Sequence, residues 1–378
     1  MVAMMGGAAA SDRALRAFAA EVAELAHARV SDPRQYFRGR GGPVRELQRE
    51  LGERDWLAVS WPVEHGGQGR PLTYEFTLWN TLAYHRATRP ELGATIVARL
   101  LMRHGTAEQR SHYLPLIRAG QICFALGYSE PEAGSDLASV RTRATRDGDV
   151  YRVDGEKVWT SEAHHAEYLW CLCRSGAQAD HGRALTLLIV DLAAPGVSVQ
   201  PIPTIDGHHV NQVRLDGVAV PVSARVGAEN GAWDLVREGL AVERHVQFLP
   251  GRTRRDLETV IDMCRRSGRL EGEDAQVRLA SLAAQVMAAE ATAIATVGEA
   301  EVGATSPVAA GAAKLLGSRL AQDIADAAFD ICGAEALDQR DMAELLWRES
   351  VMETIAGGTT EMLLGIVART ALALPRSS

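Results

Sequence analysis

Cysteine is scarce and scattered. The five residues Cys123, Cys171, Cys173, Cys264 and Cys332 show no metal-ligand spacing, which excludes a structural zinc module. Cys171-Leu172-Cys173 reads as two sulfurs on one side of a strand, buried thiols rather than a disulfide. An excess of positive charge is also missing: 40 basic against 48 acidic residues leave a formal charge of -8, so no nucleic-acid surface is expected. The short clusters Arg254-Arg255-Asp256 and Arg265-Arg266 are expected on solvated helix faces. No apolar run long enough to span a bilayer is evident, so membrane insertion is not expected. The N-terminus lacks a basic region followed by an apolar core and cleavage site, which leaves the cytoplasm as the expected location. There is neither a P-loop nor a Rossmann fingerprint with its downstream acid, and no internal repeat. His164-His165 has no metal scaffold around it: on a strand the two would face opposite sides, and packing is the expected role, as for His65.

What is present is apolar material in quantity. At 378 residues the chain exceeds one ordinary hydrophobic core, and a 47% apolar content supports two or three packed domains. Asp12, Leu15, Phe18, Val22 and Leu25 open an amphipathic helical pattern that continues through a first helical domain, 1–120. Over 121–226 the runs Tyr151-Arg152-Val153, Tyr168 to Cys173 and Leu185 to Val190 alternate with turn formers at Asp147-Gly148-Asp149, Asp154-Gly155, Pro195-Gly196, Asp206-Gly207 and Asp216-Gly217, predicting a β-domain. Helical spacing returns over 227–378, with Leu279, Leu282, Val286 and Met287 and then Ala309 to Leu316.

Four separated stretches carry more specific information: Trp61-Pro62-Val63-Glu64-His65-Gly66-Gly67-Gln68-Gly69, Leu126-Gly127-Tyr128-Ser129-Glu130-Pro131-Glu132-Ala133-Gly134-Ser135-Asp136, Gly155-Glu156-Lys157-Val158-Trp159-Thr160-Ser161, and Ile355-Ala356-Gly357-Gly358-Thr359-Thr360-Glu361. In order and interval they resemble the acyl-CoA dehydrogenase family. The resemblance implies a helical N-terminal domain, a middle β-domain and a C-terminal helical bundle, with FAD as cofactor. It places Leu126, Tyr128 and Ser129 at the flavin, Trp159 against the isoalloxazine, Ser161 at the flavin or its phosphate region, and Ser135 at the substrate. An aromatic face with directed donors suits the placing of a flavin.

The implied reaction is oxidation of an acyl-CoA thioester to the 2,3-enoyl-CoA, with a carboxylate base removing the proton beside the carbonyl and an electron-transfer flavoprotein or similar acceptor taking the electrons. Gly357 stands where many members of the family carry that base; its backbone amide remains available to the thioester oxygen. Glu243, in Gly239-Leu240-Ala241-Val242-Glu243-Arg244, matches the position from which a branch of the family supplies the base instead, with Arg244 beside it to orient or hold the site electrostatically. Glu361, four positions past Gly357, is a weaker substitute.

Other departures bear on assembly. The family's arginine and glutamine-phenylalanine-glycine grip on the flavin nucleotide is not reproduced in Gly251 to Asp256 or Ile261 to Leu270. Asp330 and Ala334 replace a common glutamine and glycine. These losses resemble actinobacterial members that work as complexes of unlike subunits, including enzymes of steroid side-chain breakdown, so a related dehydrogenase subunit is an expected partner and a branched or bulky acyl group an expected substrate. A flavin monooxygenase of the same fold, or a mainly structural subunit, are the alternatives.

Overall fold

The computed structural model of the chain describes residues 2–32, 34, 42–247, 249–303, 306–338 and 342–375, with the side chains of 2–11, 42–43, 179, 241–247 and 307 outside that description. Helices α1 (Val2–Arg29), α2 (Gly42–Glu53), α3 (Leu72–Tyr84), α4 (Ala98–His104) and α5 (Ala107–Arg118) come first. Strands β1 (Phe124–Gly127), β2 (Arg143–Asp147), β3 (Val150–Thr160), β4 (Tyr168–Arg174), β5 (Leu185–Asp191), β6 (Val197–Pro203), β7 (His209–Pro221) and β8 (Arg225–Val226) follow. Helices α6 (Ala232–Gln247), α7 (Pro250–Arg266), α8 (Glu273–Glu301), α9 (Pro307–Cys332), α10 (Ala343–Glu353) and α11 (Thr360–Ala371) complete the chain. These elements form two compact units: Met1–Arg38 with Arg70–Pro90 and Arg244–Ser378, and Gly39–Gly69 with Glu91–Glu243.

The first unit is helical. Its core is a seam of Leu257, Val260, Met263, Leu279, Leu282, Val286, Leu320, Ile324 and Leu346, contributed by α7 to α10. Such a buried i, i+3, i+4 stripe is what holds helices whose own propensity is marginal. Ser306 caps α9 by accepting from the amide of Ala309, and Pro307 occupies the first turn, where its missing N–H has no consequence. Met287 departs from the expected stripe: it is exposed, one residue past buried Val286. Contrary to the expectation from sequence, α8 is long and apolar enough, by length and composition, to cross a membrane. Alanine supplies much of that apolarity, while Leu279, Leu282 and Val286 close the core of the unit. The thiols of Cys264 and Cys332 lie 3.8 Å apart in this core, both free.

A network of charge is sealed into the same unit. Arg86, 2% exposed, donates to both carboxylate oxygens of Glu349 at 2.7 and 2.8 Å and to Asp256 at 3.1 Å. Arg252 bonds Glu353 and Glu349, and Arg89 reaches Glu353 at 3.2 Å. Burial pushes the Glu353 carboxyl up, but the charges of Arg252 and Arg89 outweigh it and hold it below the ordinary carboxylate range. Asp256, expected on a solvated face, is therefore buried because Arg86 and Arg252 need an anion there.

The second unit centres on an eight-stranded sheet in the order β6-β7-β3-β2-β4-β5-β8, with β1 parallel to β4. Its core stacks Tyr151, Val153, Leu169, Cys171, Cys173, Leu188, Val190, Val213 and Val218. Cys171 and Cys173 share a face with sulfurs 3.5 Å apart. Asp147 and Gly148 turn the β2–β3 hairpin. Asp154-Gly155 and Asp216-Gly217 are not turns: both lie inside paired strands, where the register shifts and Asp154 accepts from the Gly217 amide at 2.7 Å. Gly155 is required there, since a β-carbon would sit 2.5 Å from Thr142 Oγ1. Thr106 and Gln109 form a reciprocal capping box on α5, and the Gln109 amide continues to the carbonyls of Ser223 and Arg225, fastening the helix to the sheet.

Because removal of one partner strands the others in a desolvated site, Arg86→Met is expected to destabilise the fold by about 3–5 kcal/mol. Arg254→Met, which breaks a surface pair with Glu290, should shift stability by about 1 kcal/mol or less. Urea unfolding midpoints of the two variants measure the contrast.

Candidate functional site

Two of the sequence stretches are bound to each other by backbone and buried charge. Strand β1 ends at Gly127, and the loop Tyr128 to Glu130 leaves it directly. Lys157, fully buried on β3, donates to the Tyr128 carbonyl at 3.2 Å and to Glu130 Oε1 at 2.7 Å, and the next amide, of Val158, donates to the Ser129 carbonyl at 3.0 Å. Glu130 also receives the amides of Arg141 and Thr142. Burial pushes its carboxyl up, but Lys157 and these donors outweigh that and hold it below the ordinary range. Lys157 and Glu130 carry no role in the sequence reading. The signal available was a pair of opposite charges, one in each motif.

The same contacts present Trp159. Its backbone is left-handed, φ 59°, at an irregularity between Lys157 and Thr160, and its indole is 62% exposed while Val158 and Thr160 on either side are buried. A tryptophan in that conformation costs roughly 1–2 kcal/mol, and surrounding bonds must enforce it. Ser161 follows, partly buried, at the start of a turn. Leu126, on β1 opposite Trp170, is partly buried and Tyr128 is buried. Ser135 lies at the exposed end of the loop. The bonds from Lys157 and Val158 bring the loop of Tyr128 and Ser129 against the segment that carries Trp159; Leu126 precedes that loop on β1 and Ser161 follows Trp159 by two residues.

Helix α6 passes close to Tyr128. A β-carbon at Gly239 would lie 3.7 Å from Tyr128 Oη, 3.3 Å from Leu100 and 3.4 Å from Ile96. Glu243 follows four residues farther along α6; its side chain and that of Arg244 lie outside the described residues. Ile96 belongs to a π-helical turn, Gly93–Val97, a form often found at functional sites. Glu91 stands two residues before this turn, buried, and accepts from the Ala94 amide at 2.6 Å. Burial pushes its carboxyl up to about 7 against the pull of the Gly93 and Ala94 amides.

Gly357 belongs to the helical unit, in the turn between α10 and α11. The amides of Ile355 and Ala356 both reach the Met352 carbonyl at 3.0 Å, and Thr360 N reaches the Thr354 carbonyl at 3.0 Å. Gly357 and Gly358 have φ of 66° and 102°, a backbone suited to glycine and strained for any side chain. Glu361 falls in the first turn of α11, which Thr359 caps. His164-His165 is not on a strand: it ends the turn after Ser161, with the two rings 3.8 Å apart. Among the described residues, no group of three or more His, Cys, Asp or Glu is arranged to hold a metal ion.

Known proteins share this architecture. Residues 12–121 match the acyl-CoA dehydrogenase N-terminal domain, 125–218 the middle domain and 230–372 the C-terminal domain. The acyl-CoA dehydrogenase FadE26 of Mycobacterium tuberculosis (strain ATCC 25618 / H37Rv) is 35% identical over 361 residues, 90% of each chain. Among solved structures, the Tcur3481-Tcur3483 steroid ACAD superposes with a TM-score of 0.90 at 34% identity, covering 97% of this chain and 98% of the other. The ChsE4-ChsE5 complex from Mycobacterium tuberculosis gives 0.88 at 32% identity, covering 96% and 98%.

The raised Glu91 has a consequence for stability. Between about pH 4.5 and 7 the folded chain keeps a proton that the unfolded chain has lost, so stability falls by about 3 kcal/mol as pH rises through that window. Glu91→Gln removes the titration. Its unfolding midpoint relative to the native protein should rise between pH 5 and pH 8, measured in urea at both values.

Proposed function

The chain belongs to the acyl-CoA dehydrogenase family, whose members are FAD-dependent oxidoreductases, and from that premise we propose that it oxidises a branched or bulky acyl-CoA thioester to its 2,3-enoyl-CoA with Glu243 as the base. The observation that carries the reading is that one sequence has both a glycine at 357, in a turn shaped for glycine, and a glutamate at 243, on the helix that passes Tyr128. A site that had lost its base without replacement would lack the second half of that pair. The domain limits 1–120, 121–226 and 227–378 belong to the same reading.

The residues present fit a flavin. An indole held out of the sheet at 62% exposure offers a flat apolar face, and the loop beside it is fixed through the Ser129 carbonyl and the Lys157–Glu130 pair, so nearby donors need little reorganisation on binding. Leu126, Tyr128, Ser129, Trp159 and Ser161 would hold the cofactor, which when bound supplies the ring that accepts hydride. Ser135 would meet the substrate. The amide of Gly357 would donate to the thioester oxygen as negative charge grows there, and Glu243 would take the proton from the adjacent carbon, with Arg244 placing its charge nearby. Electrons would leave to an electron-transfer flavoprotein or similar acceptor.

A related subunit is part of this reading. What supports it is the missing nucleotide grip in Gly251 to Asp256 and Ile261 to Leu270, together with two structural relatives whose names describe paired chains. The word steroid in one of those names makes a steroid-derived acyl group the first substrate to test.

In anaerobic single-turnover reduction, Glu243→Gln is expected to slow substrate-driven flavin bleaching by about 10²–10⁴-fold while keeping its FAD. Unchanged bleaching would remove Glu243 from the chemistry. The FAD-to-chain ratio of the protein prepared alone and with a related subunit tests the assembly: flavin retained only in the pair is the expected result, and full occupancy alone would make the chain self-sufficient.

A further inference from the structure

The turn that follows Trp159 is held by two histidines and an asparagine that the reaction does not use. Asn211 on β7, with no exposed surface, faces Thr160 in the β3–β7 register and donates from Nδ2 to the Thr160 carbonyl at 2.8 Å. The same nitrogen lies 3.0 Å from His164 Nδ1, and His164 Nε2 lies 2.7 Å from His209 Nε2.

Hydrogen-bond chemistry leaves one consistent assignment of protons. An amide nitrogen only donates, so His164 Nδ1 must accept. Turning the Asn211 amide over would set its oxygen against the Thr160 carbonyl. A neutral His164 therefore carries its proton on Nε2 and donates to His209, whose own proton is on Nδ1. A further proton on His164 would face the Asn211 amide, and one on His209 Nε2 would face the His164 N–H. The network has room for neutral rings alone.

We infer that Asn211, His164 and His209 form a latch that positions the backbone from Trp159 to Ser161, and so the indole face offered to the flavin; the second half of this statement rests on the function proposed above. The latch supplies what the local backbone lacks. Trp159 and Glu162 are both left-handed, at φ 59° and 68°, and neither is glycine. The bond from Val158 to Ser129 restrains this stretch before Trp159, and the bond from Asn211 restrains it after. Strain of this kind persists only where the surroundings over-determine it. Among the described residues, titratable and charged groups beside the latch include His165, whose ring is 3.8 Å from that of His164; His208, 5.7 Å from His209; and Asp206, which receives the His208 amide, while Glu162 and Arg45 act on His165.

The test uses the full chain and three readouts. Nitrogen-15 NMR of the native protein at pH 7.5 should show His164 protonated on Nε2 and His209 on Nδ1; the opposite tautomers would overturn the latch whatever the variants do. Amide exchange of the segment 159–165, followed by mass spectrometry, should quicken about 10-fold in Asn211→Ala and His209→Leu. It should stay near native in His209→Gln, whose amide oxygen can still accept from His164. FAD affinity should fall by about 10-fold in the variants that lose the latch and hold in His209→Gln. Exchange unchanged in Asn211→Ala, or flavin affinity unchanged where exchange has quickened, would overturn the positioning role. A native protein that takes up no FAD even with a related subunit, yet shows the expected tautomers and exchange, would leave the latch standing and remove the flavin reading instead.

Discussion

Lys157 and Glu130 form the contact on which the candidate site depends. An ammonium with no exposed surface is tolerable only beside an anion, and Glu130 provides it at 2.7 Å. Because the lysine sits on β3 and the glutamate on the loop after β1, satisfying the charge also sets where two distant segments meet. The Tyr128 carbonyl and the amides of Arg141 and Thr142 complete the coordination. A buried pair of this kind adds little net stability compared with apolar side chains of the same volume. Its effect is geometric: few other arrangements of the loop leave both charges compensated.

Backbone strain then becomes affordable at two places, for opposite reasons. At Trp159 a large side chain occupies a left-handed conformation that disfavours it, and surrounding bonds enforce the position. At Gly357 and Gly358 the left-handed backbone meets residues without side chains and costs little. The first displays a ring; the second gives up any side chain and leaves a main-chain amide as what position 357 can contribute to chemistry. In the helical unit, Glu353 at the end of α10 joins Arg252 and Arg89 immediately before that second turn, so buried charge anchors the base of the Gly357 segment much as Lys157 anchors the Trp159 segment.

The helical and sheet regions were legible because their signals are local. Periodicity marked the core line of α8 through Leu279, Leu282 and Val286, and turn chemistry marked Asp147-Gly148. It failed at Asp154-Gly155 and Asp216-Gly217, where the same dipeptide makes a strand irregularity: the deciding contact, Asp154 to the Gly217 amide, joins residues 63 apart. It failed likewise for Asp256, placed on a solvated face by its basic neighbours but drawn inward by Arg86, 170 positions earlier.

The sequence by itself determined the family, the order of helical, sheet and helical regions, and which residue types stand at 129, 159, 243 and 357, since each is a matter of composition, spacing or identity along the chain. Only the tertiary structure decided that Glu130 neutralises Lys157, that Trp159 points outward on a strained backbone, that Gly239 of α6 approaches Tyr128, and that His164 meets His209 across the turn. Those facts depend on which distant groups share a buried volume. Charge compensation and hydrogen-bond satisfaction are set there by three-dimensional neighbours, and local pattern in the sequence does not record them.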